Sequence, residues 1–329
     1  MKRRKFITLL GGAAAMTSWP FAARGQVPNK RPIIAWLGTG TRSGAGRFIG
    51  FLREGLGELG YTEGRNIEIV VRMAENQIER LPALAEEVVG FKPAVIVAGA
   101  VDAALAAKKV TSTIPIVSGA LADADHLGLV ASYARPGGNV TGITPYIAGL
   151  PAKQVELARE IVPGAAKIGL LGNMNDPKAP PQRDELKDAA RTLGATVVVP
   201  EVRGGEGVAA AIQELASERV DVVIVLQTTM LLSLRKQIAP LMAASRLPAI
   251  YGYREHVDEG GLIGYGVDLG WCWHRLATYV HKILNGAVPA DLPVEFPPKL
   301  QMVVNVKTAK SLGITVPPIL LARADEVIE

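Results

Sequence analysis

Short continuous apolar runs alternate along the chain with longer stretches whose apolar residues recur every three to four positions. Pro32 to Leu37 is the first such run and reads as a strand buried on both faces. Arg47 to Leu59 has helical periodicity and stops at Gly60, a natural C-cap. The run Gly38 to Gly46 between them reads as a flexible loop. Asn66–Arg72 predicts a strand, Ile78–Val89 a helix with Pro82 in its first turn, Ala94–Ala98 a strand and Val101–Val110 a helix. The rhythm then repeats. Lys153–Ile161 predicts a connecting helix, Lys167–Leu171 a strand, and Gln182–Leu193 a helix closed by Gly194. Thr196–Val199 (strand), Gly207–Ser217 (helix), Asp221–Leu226 (strand) and a helix from Thr229 to about Ser245 follow. Pro248–Tyr251 and Leu262–Tyr265 are two further short strands. Trp271–Leu284 is a long helix, Pro289–Pro298 is extended, Met302–Val306 is a strand and Thr308–Leu312 a short helix.

Ile114 to Thr144 joins the two halves. It opens with a buried strand ending at Ser118, passes an acidic loop at Ala122–Asp125, and shows a short helical pattern from His126 to Tyr133. Pro136-Gly137-Gly138 is a turn, and Asn139–Thr144 is a second apolar run. Strands alternating with helices of ten or more residues imply right-handed βαβ units and parallel sheets. Two such series predict an α/β protein of two doubly wound parallel-sheet lobes joined by crossovers, with a small molecule bound between them.

In open sheets of this kind ligands lie beyond the carboxyl ends of the strands. The loops to inspect are 39–46, 99–102, 118–125, 172–177, 227–229 and 252–255. They supply the candidate ligand-binding residues Thr39, Ser43, Gly99, Ala100, Asp102, Ser118, Asp123, Asn173, Gln227, Tyr251 and Glu255. Gly38-x-Gly40-x-x-Ser43 is nearly a dinucleotide fingerprint, but Ser43 stands where the third glycine is needed for close helix–strand packing. It reads instead as a helix N-terminus and hydroxyl facing an anionic group, or as a mobile surface loop. Gly99-Ala100 permits close approach of a ligand to the backbone. Asp102 either meets a ligand or stabilises a helix N-terminus. Asp123 either accepts from a ligand ammonium or hydroxyl or stays solvated. Asn173, Gln227 and Thr229 offer neutral hydrogen bonds, and Tyr251 either stacks on a planar ligand or enters a core.

The four histidines, His126, His256, His274 and His281, lack the spacing of a metal site; no cofactor or metal is expected. Trp271 and Trp273 cannot share a helix face, so one is expected in a core and the other partly exposed. No nucleophile elbow or complete P-loop occurs.

The net charge of +5 comes from the N-terminus. Residues 1–25 carry five of the 36 basic residues and no acid, leaving 31 basic against 31 acidic residues. A nucleic-acid footprint is therefore absent. Lys2–Lys5 followed by apolar Phe6–Met16 and the small residues of Ala23-Arg24-Gly25 read as an export signal, with a mature start near Gln26. Arg3-Arg4-Lys5-Phe6-Ile7 resembles the twin-arginine pattern. With one cysteine, Cys272, no intrachain disulfide is possible. A soluble periplasmic protein is expected.

Arg135-Pro136-Gly137-Gly138-Asn139-Val140-Thr141-Gly142, Arg246 to Tyr251, Pro289 to Glu295 and the tail Leu320 to Glu329 occur together in order. In this the chain resembles the substrate-binding components of ABC importers, in the family that includes tryptophan/tyrosine-type uptake proteins. The resemblance implies a type I periplasmic-binding fold that closes around one solute. Residues 31–145 and 268–290 would form the first lobe, and 146–267 and 291–329 the second. It implies an amino acid or related small carboxylate as solute, delivered to an ABC permease of the inner membrane. Trp271-Cys272-Trp273-His274 departs from the more polar stretch usual there, and Asp123 or Asp125 replaces a usual Asp-Pro acid. The rival reading is a two-lobed exported enzyme of the nucleotide-sugar transferase or oxidoreductase type. The export signal, the incomplete fingerprint and the missing acid–base constellation speak against it.

Overall fold

The computed structural model describes residues 31–145, 147–176, 178–202 and 204–329. The expected signal segment and Pro177 lie outside the described residues. The first lobe is built from β1 (Ile33–Gly38), α1 (Arg42–Glu58), β2 (Glu68–Met73), α2 (Leu81–Gly90), β3 (Val95–Ala98), α3 (Val101–Val110), β4 (Ile116–Ser118) and β5 (Val140–Gly142). Its sheet has the order β2-β1-β3-β4-β5, parallel throughout. Ile34 to Leu37 are at most 2% exposed, as a strand covered on both faces requires.

The second lobe begins with α4 (Leu150–Ile161), β6 (Lys167–Leu171), α5 (Ala179–Thr192), β7 (Thr196–Val198), α6 (Val208–Ser217) and β8 (Val222–Val225). It continues with α7 (Thr229–Ser233), α8 (Arg235–Ala244), β9 (Ala249–Tyr251), α9 (Glu255–Asp258) and β10 (Ile263–Val267). The chain then runs through α10 (Leu269–Leu284), β11 (Leu300–Asn305), α11 (Val306–Ser311), α12 (Pro318–Arg323) and β12 (Glu326–Ile328). The second sheet has the order β12-β11-β10-β9-β8-β6-β7. Its run β7-β6-β8-β9-β10 repeats the order of the first sheet; only the β10–β11 pair is antiparallel. The architecture is two doubly wound α/β lobes, the type I periplasmic-binding fold.

The chain passes between the lobes three times. The first passage joins β5 to α4 and the second joins β10 to α10. Helix α10 packs against α1, closing the core around Trp36, Leu52, Leu56, Trp273, Leu276 and Val280. The third passage comes after Glu295, because Ile143 bridges Glu295 and Thr141 Oγ1 donates to Leu292 O at 2.6 Å. Val294 is likewise buried in the first lobe. Residues 291–295, expected with the second lobe, thus lie on the first sheet.

Four local expectations differ from the structure. Helix α1 begins at Arg42 rather than Arg47, because Thr41 Oγ1 caps it by accepting from Gly44 N at 3.1 Å. Residues 126–133 form turns rather than a helix: Gly128 has φ +67°, and the amides of Leu129 and Val130 both donate to Ala124 O. The buried Leu129 and Val130 made that stretch look periodic. The helix expected from Thr229 to Ser245 breaks at Leu234 into α7 and α8. Pro289–Asp291 makes one 3₁₀ turn before the chain extends.

Candidate functional site

The carboxyl ends of both sheets face a common gap. On the first-lobe side its floor is aromatic. Trp36 comes from the interior of β1 and Trp273 from the second turn of α10, with ring centroids 4.7 Å apart and planes tilted by 39°. Phe48 of α1 lies 6.2 Å from the Trp273 ring. Small residues keep this floor open. A Cβ on Gly99 would lie 3.2 Å from Gly38 Cα and 3.3 Å from Trp36 Nε1. A Cβ on Gly119 would press on the Trp273 ring at 3.1 Å.

The second lobe supplies the opposite wall through Lys178, Thr229, Leu232, Ser233, Arg235 and Tyr253. The slot between the walls encloses about 70 Å³. Thr39, Thr229 and Ser233 also line a wider neighbouring compartment, with Asp102, Asp176, Asn173 and Glu206 on its walls.

Two buried polar atoms at the slot have no hydrogen-bond partner among the described residues: Trp36 Nε1 and Thr39 Oγ1. A buried donor or acceptor left unmade is costly, so such atoms at a cavity mark where a ligand can bond. Lys178 Nζ reaches only Thr229 Oγ1, at 3.4 Å, and makes no ion pair among the described residues. Arg235 is occupied, with its Nη1 donating to Leu232 O and its Nε 3.6 Å from Glu259. Burial pushes the Asp102 carboxyl up, the charge of Asp176 adds to this, and Lys178 opposes it. Burial also pushes the Tyr253 phenol up.

A family model described as ABC transporter substrate binding protein matches residues 46–328. The chain belongs to this family. A tyrosine-binding protein of Clostridioides difficile is 29% identical over 265 residues, covering 80% of this chain and 76% of the relative. Among solved structures, the ABC domain in complex with L-Trp from Streptococcus pneumonia is 26% identical, covers 91% of this chain and all of that one, and superposes with TM-score 0.84. A ligand-free, open substrate binding protein with adhesive properties from Clostridium difficile is 25% identical, covers 90% of this chain and 99% of that one, and superposes with TM-score 0.67.

In this binding protein the sequence candidates divide. Thr39 and Gly99 line the slot, and Asp102 and Asn173 line the neighbouring compartment. Ala100 is buried as the N-cap of α3. Ser43, whose hydroxyl was expected to face an anionic group, is exposed on the first turn of α1 and does not line the slot; Thr41 caps the helix. Ser118 is fully buried, its hydroxyl accepting from Ala120 N at 3.1 Å. Gln227 is spent on structure, donating to Gly252 O at 2.8 Å while its backbone bonds Gln182. Tyr251 is lobe core, stacked on His256 with centroids 4.8 Å apart. Glu255 starts α9 and is 2% exposed, with burial pushing its carboxyl up. Asp123 lies in a separate hollow beside Phe296, where it meets His126 Nδ1 at 2.8 Å.

Asp123, Asp125 and His126 bring ligand atoms within 4.8 Å of one another, a grouping that could hold a cation; here they pair with each other instead. His274 and His281 turn to Glu58 and Tyr61. Trp273 is buried and Trp271 half-buried, as their spacing required. Sequence reasoning missed Trp36, Phe48, Lys178 and Tyr253 as slot residues. Lys178 and Tyr253 were findable, since Lys178 follows a strand-end loop and Tyr253 lies in the loop 252–255; Trp36 and Phe48 lie within elements that read as core.

Proposed function

We propose that this binding protein captures an amino acid or related small carboxylate in the aromatic slot by closing its lobes, and hands it to an ABC permease. The observation that carries the reading is the composition of the slot: one lobe offers a planar apolar floor, the other a cation, Lys178, with no ion pair among the described residues. A ring on the floor and a carboxylate on the lysine need both lobes at once, so ligand favours the closed arrangement. The likeness supports this. At nearly equal identity the chain superposes better on the L-Trp complex than on the ligand-free, open relative. The relatives' ligands, tyrosine and L-Trp, suit an aromatic floor.

A family of binding proteins needs no catalytic constellation, which favours transport over the enzyme reading. The N-terminal pattern supports export to the periplasm, to be checked by sequencing the N-terminus of the mature protein. The test of function is calorimetry on the chain lacking residues 1–25 against the twenty amino acids and their deamino acids. An affinity near micromolar, about −8 kcal/mol, is expected for at least one aromatic member. Silence across the panel, with stabilisation by nucleotides, would overturn the reading.

A further inference from the structure

We propose that Glu255, on the seam between the lobes, couples closure to the uptake of a proton. Its carboxylate is ionised and solvated when the lobes part, and is neutralised as they close over it. Ligand is then held more tightly as the pH falls. The coupling rests on the reading of the gap as a site that closes around a small molecule.

Glu255 is the first residue of α9 in the second lobe. Its neighbours in the chain reach across to the first lobe. Tyr253, two residues earlier, is buried in the first-lobe core with Trp36 and Cys272. Asp258, one turn further along α9, accepts from Arg47 Nη1 of α1 at 2.7 Å. Between these two contacts Glu255 is 2% exposed. Its carboxylate meets its own backbone amide, and Oε2 has no hydrogen-bond partner among the described residues. A charge buried without a partner is costly, and the carboxyl escapes that cost by taking a proton.

The charges around it do not offset the burial. From α1 it faces Arg47, whose guanidinium is committed to Asp258. From α10 it faces the Cys272 thiol, with Asp268 at the start of that helix, and from its own loop the Tyr253 phenol. On α9, Asp258 repels it and Arg254 attracts it, but Arg254 is held by Asp258 and Glu326. His256 turns away to Leu231 O. On α8, Arg235 meets Glu259 and Lys236 is exposed. Strands β10 and β11 carry no ionisable side chain except Tyr265, which lies toward Lys153 of α4. Burial therefore prevails and pushes the Glu255 carboxyl up from its ordinary 4.5, with Asp258 adding and Arg47 and Arg254 opposing. When the lobes part, Arg47 and Cys272 withdraw, water reaches the carboxyl, and it returns toward 4.5. The closed state thus binds the proton more tightly than the open one, so acid favours closure. Well above the raised value Glu255 is ionised in both states, and affinity is lowest and independent of pH. Affinity climbs as the pH falls through the raised value, by at most about tenfold per pH unit for one proton, and levels off below about 4.5.

The test is calorimetry of L-tryptophan and L-tyrosine binding to the purified protein between about pH 8 and about pH 5.5, in two buffers of different ionisation enthalpy. Melting curves confirm the fold at each pH. Binding is expected to take up protons, approaching one per ligand, and to be about threefold or more tighter at the acid end. Glu255→Gln, near-isosteric and uncharged, is expected to lose the proton uptake and to bind at every pH at least as tightly as wild type does in acid. Binding without proton uptake in wild type would overturn the coupling while leaving the small-molecule reading intact. Uptake that persists unchanged in Glu255→Gln would do the same. If neither amino acid binds, small-angle X-ray scattering of the unliganded protein still decides. The coupling requires Glu255→Gln to be more compact than wild type at about pH 8, with the difference closing in acid; equal radii of gyration at the alkaline end would overturn it.

Discussion

Arg47 Nη1 donates to Asp258 Oδ2 at 2.7 Å, and the two residues belong to different lobes. Arg47 is on α1 and Asp258 on α9, where Asp258 also meets Arg254 at 3.2 Å and Arg254 meets Glu326 at 2.8 Å. The contact can form only while the lobes are together. Arg47 and Asp258 are 45% and 28% exposed, so the pair is worth about 0.3–1 kcal/mol. Arg47→Gln is therefore expected to weaken ligand binding about two- to fivefold, with the difference from wild type shrinking at high salt. Calorimetry at low and high ionic strength measures it; a loss independent of salt would argue against a charge contact.

Trp36→Phe keeps a ring on the slot floor and deletes the unpartnered Nε1–H. Removing an unsatisfied donor is expected to leave thermal stability unchanged or slightly raised. Ligand affinity is expected to fall by about 1 kcal/mol, roughly fivefold, if the donor serves the ligand. Trp273→Ala is different, because that ring is also core. It is expected to cost about 3–5 kcal/mol of stability. Melting curves with and without ligand separate the two cases.

His256 is fully buried, stacks on Tyr251 and shares a hydrogen bond of 3.1 Å from Nε2 to Leu231 O. Burial lowers its pKa from 6.5 to about 4. The unfolded chain therefore takes up this proton first, and the folded chain resists it. Stability is expected to be full above about pH 6.5 and to fall as the pH drops toward about 4, by something on the order of 3 kcal/mol in all. Denaturant titrations across that range should show the slope, and His256→Gln should flatten it. An unchanged slope in the variant would assign the acid sensitivity to other groups.

Gly55 is where α1 meets α10. A Cβ there would lie 2.5 Å from His274 O and 2.8 Å from Ala277 Cβ. Gly55→Ala is expected to destabilise by about 1–3 kcal/mol. Gly57, two residues on, faces open space, and Gly57→Ala is expected to stabilise by up to about 1 kcal/mol. Opposite signs within one helix, read from urea unfolding, are the diagnostic; equal shifts would deny the close packing.

Cys272 is buried, and burial pushes its thiol far up, with Asp268 and Glu255 adding to the effect. The folded protein is expected not to react with a thiol reagent at neutral pH, and the denatured protein to react once per chain. Rapid labelling of the native protein would show that α10 lifts away from the core.

The lobes were legible because parallel strands covered on both sides are written as continuous apolar runs, as at Ile34–Leu37 and Val222–Val225. Residues 42–46 misled because Ser-Gly-Ala-Gly has poor helix propensity, which the Thr41 cap and packing on α10 override. Strand β12 was invisible because its burial is slight and its partner, β11, lies more than twenty residues earlier. For the site, the strand-end rule located positions but not side-chain directions. Thr39, Gly99, Asp102 and Asn173 face the gap, whereas Gln227, Tyr251 and Glu255, at equivalent strand ends, turn inward. Trp36 and Trp273 come together over more than 230 positions of chain, a pairing that no local pattern records.

The threefold passage of the chain has a consequence for biogenesis. The first lobe lacks its α10 buttress until residue 284 has been made, and the second sheet lacks its outermost strand until residue 328. Neither half of the polypeptide encodes a finished half of the molecule. A nascent chain must therefore keep its early apolar strands from aggregating until synthesis is almost complete, and separately expressed halves would have to find each other before either matured.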